Sequence, residues 1–526
     1  MDGKRKNLLS KRVEKIMGKN IFLTGATGLL GSYVATELLK RGHTLYLLAR
    51  TRDGVKSSER VFEALRFWGM GNPDKFLEER LKVLEGDVEF KGLGLEEKDL
   101  KLFKGKEIEV LHCAACTSFS PAASELLESA NVEGTKNILD FASGIKAKVF
   151  HFVSTAYVAG DFKGRFCEKD LDVGQGFNNI YEKTKYESEV IARKFLEKEK
   201  IPGNFFRPGI IMGDYASGRT TNFNALYIYF KVLYSVRKKL EERIRRKDSE
   251  LEKLGIREEN NYLVLPFRIA VNPDAKKNIV PVDFVGKAIC VIAERECQGI
   301  NTFHLTNPSP PAFSWLNSEL HPGIGVKGIT LVSKDDYESG KPNRFERIIN
   351  DSIKIYGPYF EREPEFESSQ TSGILASSGL SFPELDKEYY LRVIDYAVGV
   401  DFGEKKEPCK EPVYSIFFKS LEKRVGESII PNLKTLNSRF SIKLSDLNKN
   451  VFLLIENGVL KKISQENGFQ TDFKFVLTSK SLEELIERKI KPQEAFFQRR
   501  VEIEGNIGKA LSLAPVFDEF FKSFEF

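Results

Sequence analysis

The segment Asn20-Ile21-Phe22-Leu23-Thr24-Gly25-Ala26-Thr27-Gly28-Leu29-Leu30-Gly31 constrains what this chain can fold into more than any other. It reads as a short apolar strand, a turn with glycines three apart, and a helix over Ser32 to Arg41. Glycine permits the tight turn, the close approach of backbone to a pyrophosphate and the close packing of helix on strand, and a helix N-terminus attracts phosphate. The spacing GxxGxxG matches the dinucleotide fingerprint GxGxxG only loosely, so the reading rests on strand, turn and helix falling in order. Thr24, Gly25, Thr27, Gly28, Leu29 and Gly31 are the candidate cofactor-binding residues of this turn.

The next strand, Thr44 to Ala49, ends in Arg50-Thr51-Arg52, where NAD-specific sites usually set a carboxylate against the ribose 2′-hydroxyl. Arg50 and Arg52 suit a 2′-phosphate by charge and by bidentate geometry, so NADPH is the expected cofactor, with NADH kept open by Asp53. Further apolar runs at 83–88, 110–115 and 149–155 alternate with helical stretches. That is the pattern of an α/β, doubly wound Rossmann-type parallel sheet, whose ligands sit at the strand C-termini. Thr155 falls at such an end. Tyr181 and Lys185 stand four apart on an expected helix, so phenol and ammonium share a face and can enter one cleft. The ammonium is expected to lower the phenol pKa towards the working pH, as general acid-base catalysis requires. Alone, such a pair is usually surface packing; with the glycine turn and Ser154-Thr155 it reads as the proton-transfer centre of a reductase.

TGATGLLG, GDV at 86–88, HCAA at 112–115, NVEGT at 131–135, HFVSTAYVAG at 151–160, YEKTK at 181–185, FRPGIIMGD at 206–214 and NIVPVDFV at 278–285 occur in order. The set resembles an extended short-chain dehydrogenase/reductase of the thioester-reductase, or fatty acyl-CoA reductase, branch, the male-sterility-like NAD-binding family. The resemblance implies Thr155 as the catalytic hydroxyl, Tyr181 as the acid, and Lys185 as the lysine that also holds the nicotinamide ribose. It further implies Asp87 and Val88 beside the adenine and Pro208 and Gly209 beside the nicotinamide. His112-Cys113-Ala114-Ala115 departs from relatives that carry an asparagine there.

At 526 residues the chain is too long for this domain alone. The expected division is a reductase domain over 1–300, a substrate-side cap over 301–402, a polar linker over 403–412 and a further domain over 413–526. In the last region Phe440, Ile442 and Leu444 alternate with polar residues, and 451–456 and 459–464 flank Asn457-Gly458, the strongest short hairpin signal. Ser481 to Glu484 reads as a capping box opening a helix to Ile490, with a strand over Arg500 to Glu504 and a last helix to about Phe524. This α+β unit resembles a sterol-carrier, type-two lipid-binding domain, which implies a long-chain lipid ligand. A packed domain with no lipid is the plainer alternative.

Six cysteines scattered over the chain suggest reduced thiols, and Cys113 and Cys116 form a CxxC with no second pair, so no metal is expected. A net charge of +6 does not imply nucleic acid. No apolar run approaches bilayer length and the basic N-terminus lacks an apolar centre, so the expected location is cytoplasmic, any membrane contact being peripheral. The basic run Arg237 to Lys247 reads as a solvated helix face or as a docking surface for coenzyme A or an acyl carrier protein. The function expected from the whole is NADPH-dependent reduction of long-chain acyl thioesters to aldehyde or alcohol. The alternatives are an epimerase, a dehydratase or a hydroxysteroid-type dehydrogenase, and a non-catalytic lipid-transfer protein.

Overall fold

The computed structural model describes residues 18–71, 73–76, 79–404, 413–428, 437–445, 449–465, 470–486, 490–498 and 500–506. Their contacts divide into two compact units, 1–407 and 408–526. The linker expected at 403–412 lies outside the described residues except for Gly403 and Glu404.

The first unit is built on a seven-stranded parallel sheet. Its strands are β1 (Asn20–Thr24), β2 (Thr44–Ala49), β3 (Leu81–Glu85), β4 (Ile108–His112), β5 (Val149–Val153), β6 (Gly203–Pro208) and β7 (Ile300–Leu305). They lie in the order β7-β6-β5-β4-β1-β2-β3. Every residue of β4, β5 and β6 is buried, as strands covered on both faces must be. Successive side chains serve two cores. Ile21 and Leu23 join one with Leu45, Leu111 and Val285, whereas Phe22 joins the other with Tyr46, Phe150, Phe152 and Leu139. The helices that matter for the cleft are α1 (Leu29–Lys40), α2 (Ser57–Phe67), α3 (Gly134–Gly144), α4 (Ile180–Glu199) and α5 (Leu226–Arg245).

The cap is not the contiguous block 301–402. Residues Ile300–Leu305 complete the sheet, and the cap core begins with α5, joining Tyr229, Phe230 and Leu233 to Leu263, Phe313, Ile349, Tyr390 and Ile394. The reason is topological: after β6 the chain leaves the sheet, builds half of the cap, and returns for β7 before building the rest.

In the second unit β8 (Ser438–Leu444), β9 (Lys449–Glu456), β10 (Val459–Ser464), β11 (Phe473–Leu477) and β12 (Val501–Gly505) form a sheet in the order β10-β9-β8-β11-β12. Asn457 and Gly458 both have positive φ, the left-handed pair that a two-residue hairpin needs. The helix expected from a cap at Ser481 spans Ser479–Ile486 instead, with the Ser481 amide donating to Thr478 Oγ1 at 3.1 Å. Thr478 is thus the residue that satisfies the first turn. The sheet face bearing Phe440, Ile442, Leu453 and Phe473 packs against Phe417, Leu482 and Leu485. The final helix expected to about Phe524 lies outside the described residues.

Candidate active site

The glycine turn is shaped by what a side chain would strike. Gly25 has φ +82°, and a Cβ there would lie 2.7 Å from the Ala114 amide nitrogen; at Gly31 it would lie 2.1 Å from the Gly25 carbonyl oxygen. Gly28 differs. It is exposed, and a Cβ would meet only the Gly25 oxygen, at 3.4 Å. Gly28 caps α1 with no side-chain hydrogen bond, and the first turn holds no acid, so the leading amides are available to an anion. A dinucleotide pyrophosphate fits this end of the helix. Thr24 ties the turn to β4: its Oγ1 accepts from the Cys113 and Ala114 amides, both at 3.2 Å, and lies 2.8 Å from His112 Nδ1. With two donors already on that oxygen, its own proton goes to Nδ1, which leaves the His112 proton on Nε2. Burial holds His112 down at about 3, so it is neutral. His112 thus supports the turn through Thr24.

At the end of β2, Arg50 Nη1 bonds Asp87 Oδ2 at 2.9 Å and Glu89 at 3.2 Å, and Arg52 pairs with Asp53 at 3.4 Å. Arg60 on α2 joins them. Its Nη1 donates to the Arg50 carbonyl at 2.6 Å, its Nη2 reaches Thr27 Oγ1 at 3.5 Å, and burial together with Arg52 and Arg50 depresses its pKa. The cationic cluster therefore has three members, one of which the strand-end argument missed. Val88 is buried and its carbonyl accepts from Asn137 Nδ2 of α3 at 2.8 Å. Leu29 opens α1 at the same mouth, half-buried. Pro208 and Gly209 are buried at the end of β6, and a Cβ on Gly209 would lie 2.5 Å from Asn278 Oδ1, so packing explains that glycine.

Thr155 follows β5 and is 4% exposed, with its Oγ1 accepting from the Tyr157 amide at 3.2 Å. Tyr181 is the second residue of α4, which Asn179 caps by accepting from the Glu182 amide at 3.0 Å. Burial pushes the phenol up to about 12, while the Thr155 hydroxyl, within hydrogen-bonding reach, pulls the other way. The expected lowering by Lys185 is therefore corrected: its Nζ donates to the Val153 carbonyl at 2.8 Å and lies 4.5 Å from the Phe152 ring centre. Burial brings Lys185 itself down to about 8. Asn131, in a π-helical turn at 128–133, holds α4 and the β4 loop together. Its Oδ1 accepts from the Cys116 amide at 2.8 Å, and its Nδ2 lies 3.1 Å from both the Cys116 carbonyl and Thr184 Oγ1. The widened turn, a feature frequent at functional sites, is invisible to a helical periodicity argument.

Behind Ser154, Glu189 is wholly buried and takes Ser154 Oγ at 2.6 Å and Arg207 at 2.7 Å. Arg207 holds the Glu189 carboxyl down at about 2. This buried pair fixes the base of α4 against β6. Beside Tyr181 an apolar cavity of about 50 Å³ is lined by Phe119, Tyr157, Ile210, Leu226, Tyr356 and Tyr359, among others. The Phe119 ring lies 5.6 Å from Tyr181 and 5.5 Å from Tyr359. Cys113 and Cys116 lie in the same loop; burial raises the Cys113 thiol to about 12, and no metal-binding group exists among the described residues. Three residues of the basic run are paired within the chain. Arg237 pairs with Glu241, Lys238 with Asp401, and Arg243 with Asp248 and Glu250.

Residues 418–518 match the SCP-2 sterol transfer family, and residues 23–289 match the family described as male sterility protein, an NAD-binding domain. The chain is 28% identical over 301 residues to the nonribosomal peptide synthetase asaC of Aspergillus flavus, covering 55% of this chain and 26% of that protein. It is 31% identical over 179 residues to the alcohol-forming fatty acyl-CoA reductase of Simmondsia chinensis, covering 32% and 36%. It thus spans well under half the length of these curated relatives. In fold, the terminal R domain from the myxalamid PKS-NRPS biosynthetic pathway is similar, with a TM-score of 0.57 at 23% identity over 72% of this chain and 90% of that one. No helix among the described residues is long and apolar enough to cross a membrane. With its seven-stranded nucleotide-binding sheet and the match over residues 23–289, the chain belongs to the male sterility protein family and carries that family's NAD-binding domain.

Proposed function

We propose that the protein reduces long-chain acyl thioesters, carried on coenzyme A or an acyl carrier protein, with NADPH as reductant. The observation that carries this reading is that Phe119, whose ring lies 5.6 Å from that of Tyr181, is also a wall of an aromatic cavity whose accessible lining is almost wholly apolar. A sugar or other polyhydroxy substrate would leave its hydroxyls without partners against those walls, whereas hiding each methylene there is worth about 0.8 kcal/mol. The relatives named as a fatty acyl-CoA reductase and a peptide synthetase agree with a thioester substrate.

Bound nicotinamide supplies hydride to the thioester carbonyl carbon. Thr155 and Tyr181 donate to the oxygen on which charge develops. With its pKa near 12, Tyr181 enters the reaction protonated, which is the state a proton donor needs. Lys185 stays charged at neutral pH and holds the nicotinamide ribose; Arg50, Arg52 and Arg60 take the 2′-phosphate, Asp87 and Val88 border the adenine, and the α1 amides take the pyrophosphate. Loss of thiol from the reduced centre gives aldehyde, and reduction on to alcohol would require a second NADPH to supply two further electrons in the same site. The domain over about 413–526 holds a long-chain lipid and raises its local concentration for the reductase, by effective concentration.

One assay tests the reading. NADPH oxidation is followed with acyl-CoAs of graded length while thiol and aldehyde are measured together. Stoichiometric thiol release supports it. Oxidation without thiol, or turnover only with alcohols and ketones, overturns it.

A further inference from the structure

Helix α4 receives an unusual hold from the cap. Glu182, the residue after Tyr181, is wholly buried, and among the described residues it has no cation partner. Its carboxylate instead accepts from the Tyr359 hydroxyl, the Asn178 amide at 2.8 Å and Asn178 Nδ2 at 3.3 Å. Tyr359 also accepts at its hydroxyl from Asn179 Nδ2, at 2.7 Å. One cap phenol therefore bonds both the residue that caps α4 and the residue that follows Tyr181.

The same side chain walls the cavity. The Tyr359 ring stacks on Phe119 at 5.5 Å and meets Tyr157 edge-on at 5.4 Å, and Phe119 in turn touches Tyr181. Its carbonyl accepts from Lys277, which is anchored by Glu363 at 3.1 Å. The backbone of this segment is thus pinned while its ring faces the cavity. At about 50 Å³ the cavity is well below the roughly 150 Å³ that accepts a benzene-sized ligand, so a chain of several methylenes needs the surrounding rings, Tyr359 among them, to move.

We propose that Tyr359 and Glu182 are a positioning pair that couples occupation of the acyl cavity to placement of Tyr181, so that an acyl chain long enough to displace the Tyr359 ring raises the rate of the chemical step. The pair deepens the thioester-reductase reading and rests on it. Binding energy from a remote part of the substrate is then spent on alignment, and a truncated substrate loses kcat as well as KM.

The experiment compares acetyl-CoA and octanoyl-CoA in the full chain and in Tyr359→Phe, Glu182→Gln and the double variant. In the unmodified protein kcat with octanoyl-CoA should exceed that with acetyl-CoA about tenfold or more. Tyr359→Phe keeps the ring and its stacking but breaks the coupling, so the two kcat values should converge to within about twofold while the ratio of KM values persists. The double variant should lose no more than the worse single variant, because both residues act as one unit. Equal kcat values in the unmodified protein, an unchanged ratio in Tyr359→Phe, or multiplying losses in the double variant would overturn the pair. Hydrogen exchange separates this from failure of the parent reading. Amides at 178–184 and 356–363 should lose protection together in Tyr359→Phe while β1 and β2 keep theirs, whether or not any thioester is turned over. Unchanged protection there overturns the pair by itself.

Discussion

The two walls of the proposed site, one for the nucleotide and one for the acyl chain, are made by opposite means. The nucleotide wall is backbone: Gly25 and Gly31 lie where a Cβ would strike the chain within 2.7 Å, and the leading amides of α1 are open to an anion. The acyl wall is side chain, contributed by residues as distant in sequence as Phe119, Ile210, Leu226 and Tyr359. Where recognition is by backbone, the steric requirement writes itself into a contiguous motif; where it is by rings from several loops, no local pattern results.

Tyr181 stands at the seam between these walls, and its substitution tests the comparison most severely. Tyr181→Phe keeps the ring beside Phe119 and leaves the nucleotide wall untouched. Turnover should fall by roughly 100- to 10,000-fold with cofactor affinity unchanged, as seen by single-turnover rates beside a fluorescence titration. If cofactor affinity falls with turnover, the seam does not divide the cleft as described.

This division also governs what could be read from the chain. The sheet was legible as far as β5 because β4 and β5 are buried on both faces and so run largely apolar, while β6, interrupted by the buried Asn204 and Arg207, was not read as a strand. The placement of Thr155 after a strand end and of Tyr181 and Lys185 on one helix was legible from sequence spacing. Arg60 was not, because it reaches Thr27 from a different helix, and its position in α2 carries no mark of that. Asn131 was hidden for a related reason: its role depends on a π-turn, which no 3.6-residue pattern predicts. The pKa of Tyr181 was misjudged because a shared helical face fixes direction only; in the fold Lys185 is drawn to the Val153 carbonyl. The cap resisted most. Its core joins α5 to segments beyond β7, an association that only the tertiary path creates.

Substitutions of three arginines and two glycines sharpen the account of the nucleotide wall. Removing Arg50, Arg52 and Arg60 singly should weaken NADPH by about 10- to 100-fold each while NADH changes little, since a hydrogen bond to a charged group is worth about 1.5–3 kcal/mol. Titration with both cofactors checks this, and equal losses would mean that the arginines only pair with Asp87, Glu89 and Asp53. Gly28→Ala should weaken either cofactor about tenfold with stability within about 0.5 kcal/mol, because the protein leaves room for the methyl. Gly25→Ala should instead cost about 3 kcal/mol or more in a denaturant melt, since its methyl would meet backbone at 2.7 Å and its φ is +82°. Similar behaviour of the two variants would remove the distinction between a glycine kept for the ligand and one kept for the fold.

The smallest expected effect concerns charge at the seam. Burial lowers Lys185 to about 8, so in the free enzyme its ammonium is largely present at pH 7 and is lost as pH rises through 8. Tyr181, near 12, keeps its proton over the same interval and contributes no limb there. If the ammonium is needed to hold the ribose, kcat/KM should fall about fourfold between pH 7 and pH 8.5, with the decline following one ionisation. Lys185→Arg supplies a charge that does not titrate below about pH 12, so whatever its absolute rate, its profile over this range should be flat. A falling limb that survives in the arginine variant would assign the ionisation to another group and leave Lys185 as a packing residue over Phe152. A flat profile in the unmodified protein would mean instead that the neutral amine serves as well, and that hydrogen bonding, not charge, is what this position contributes.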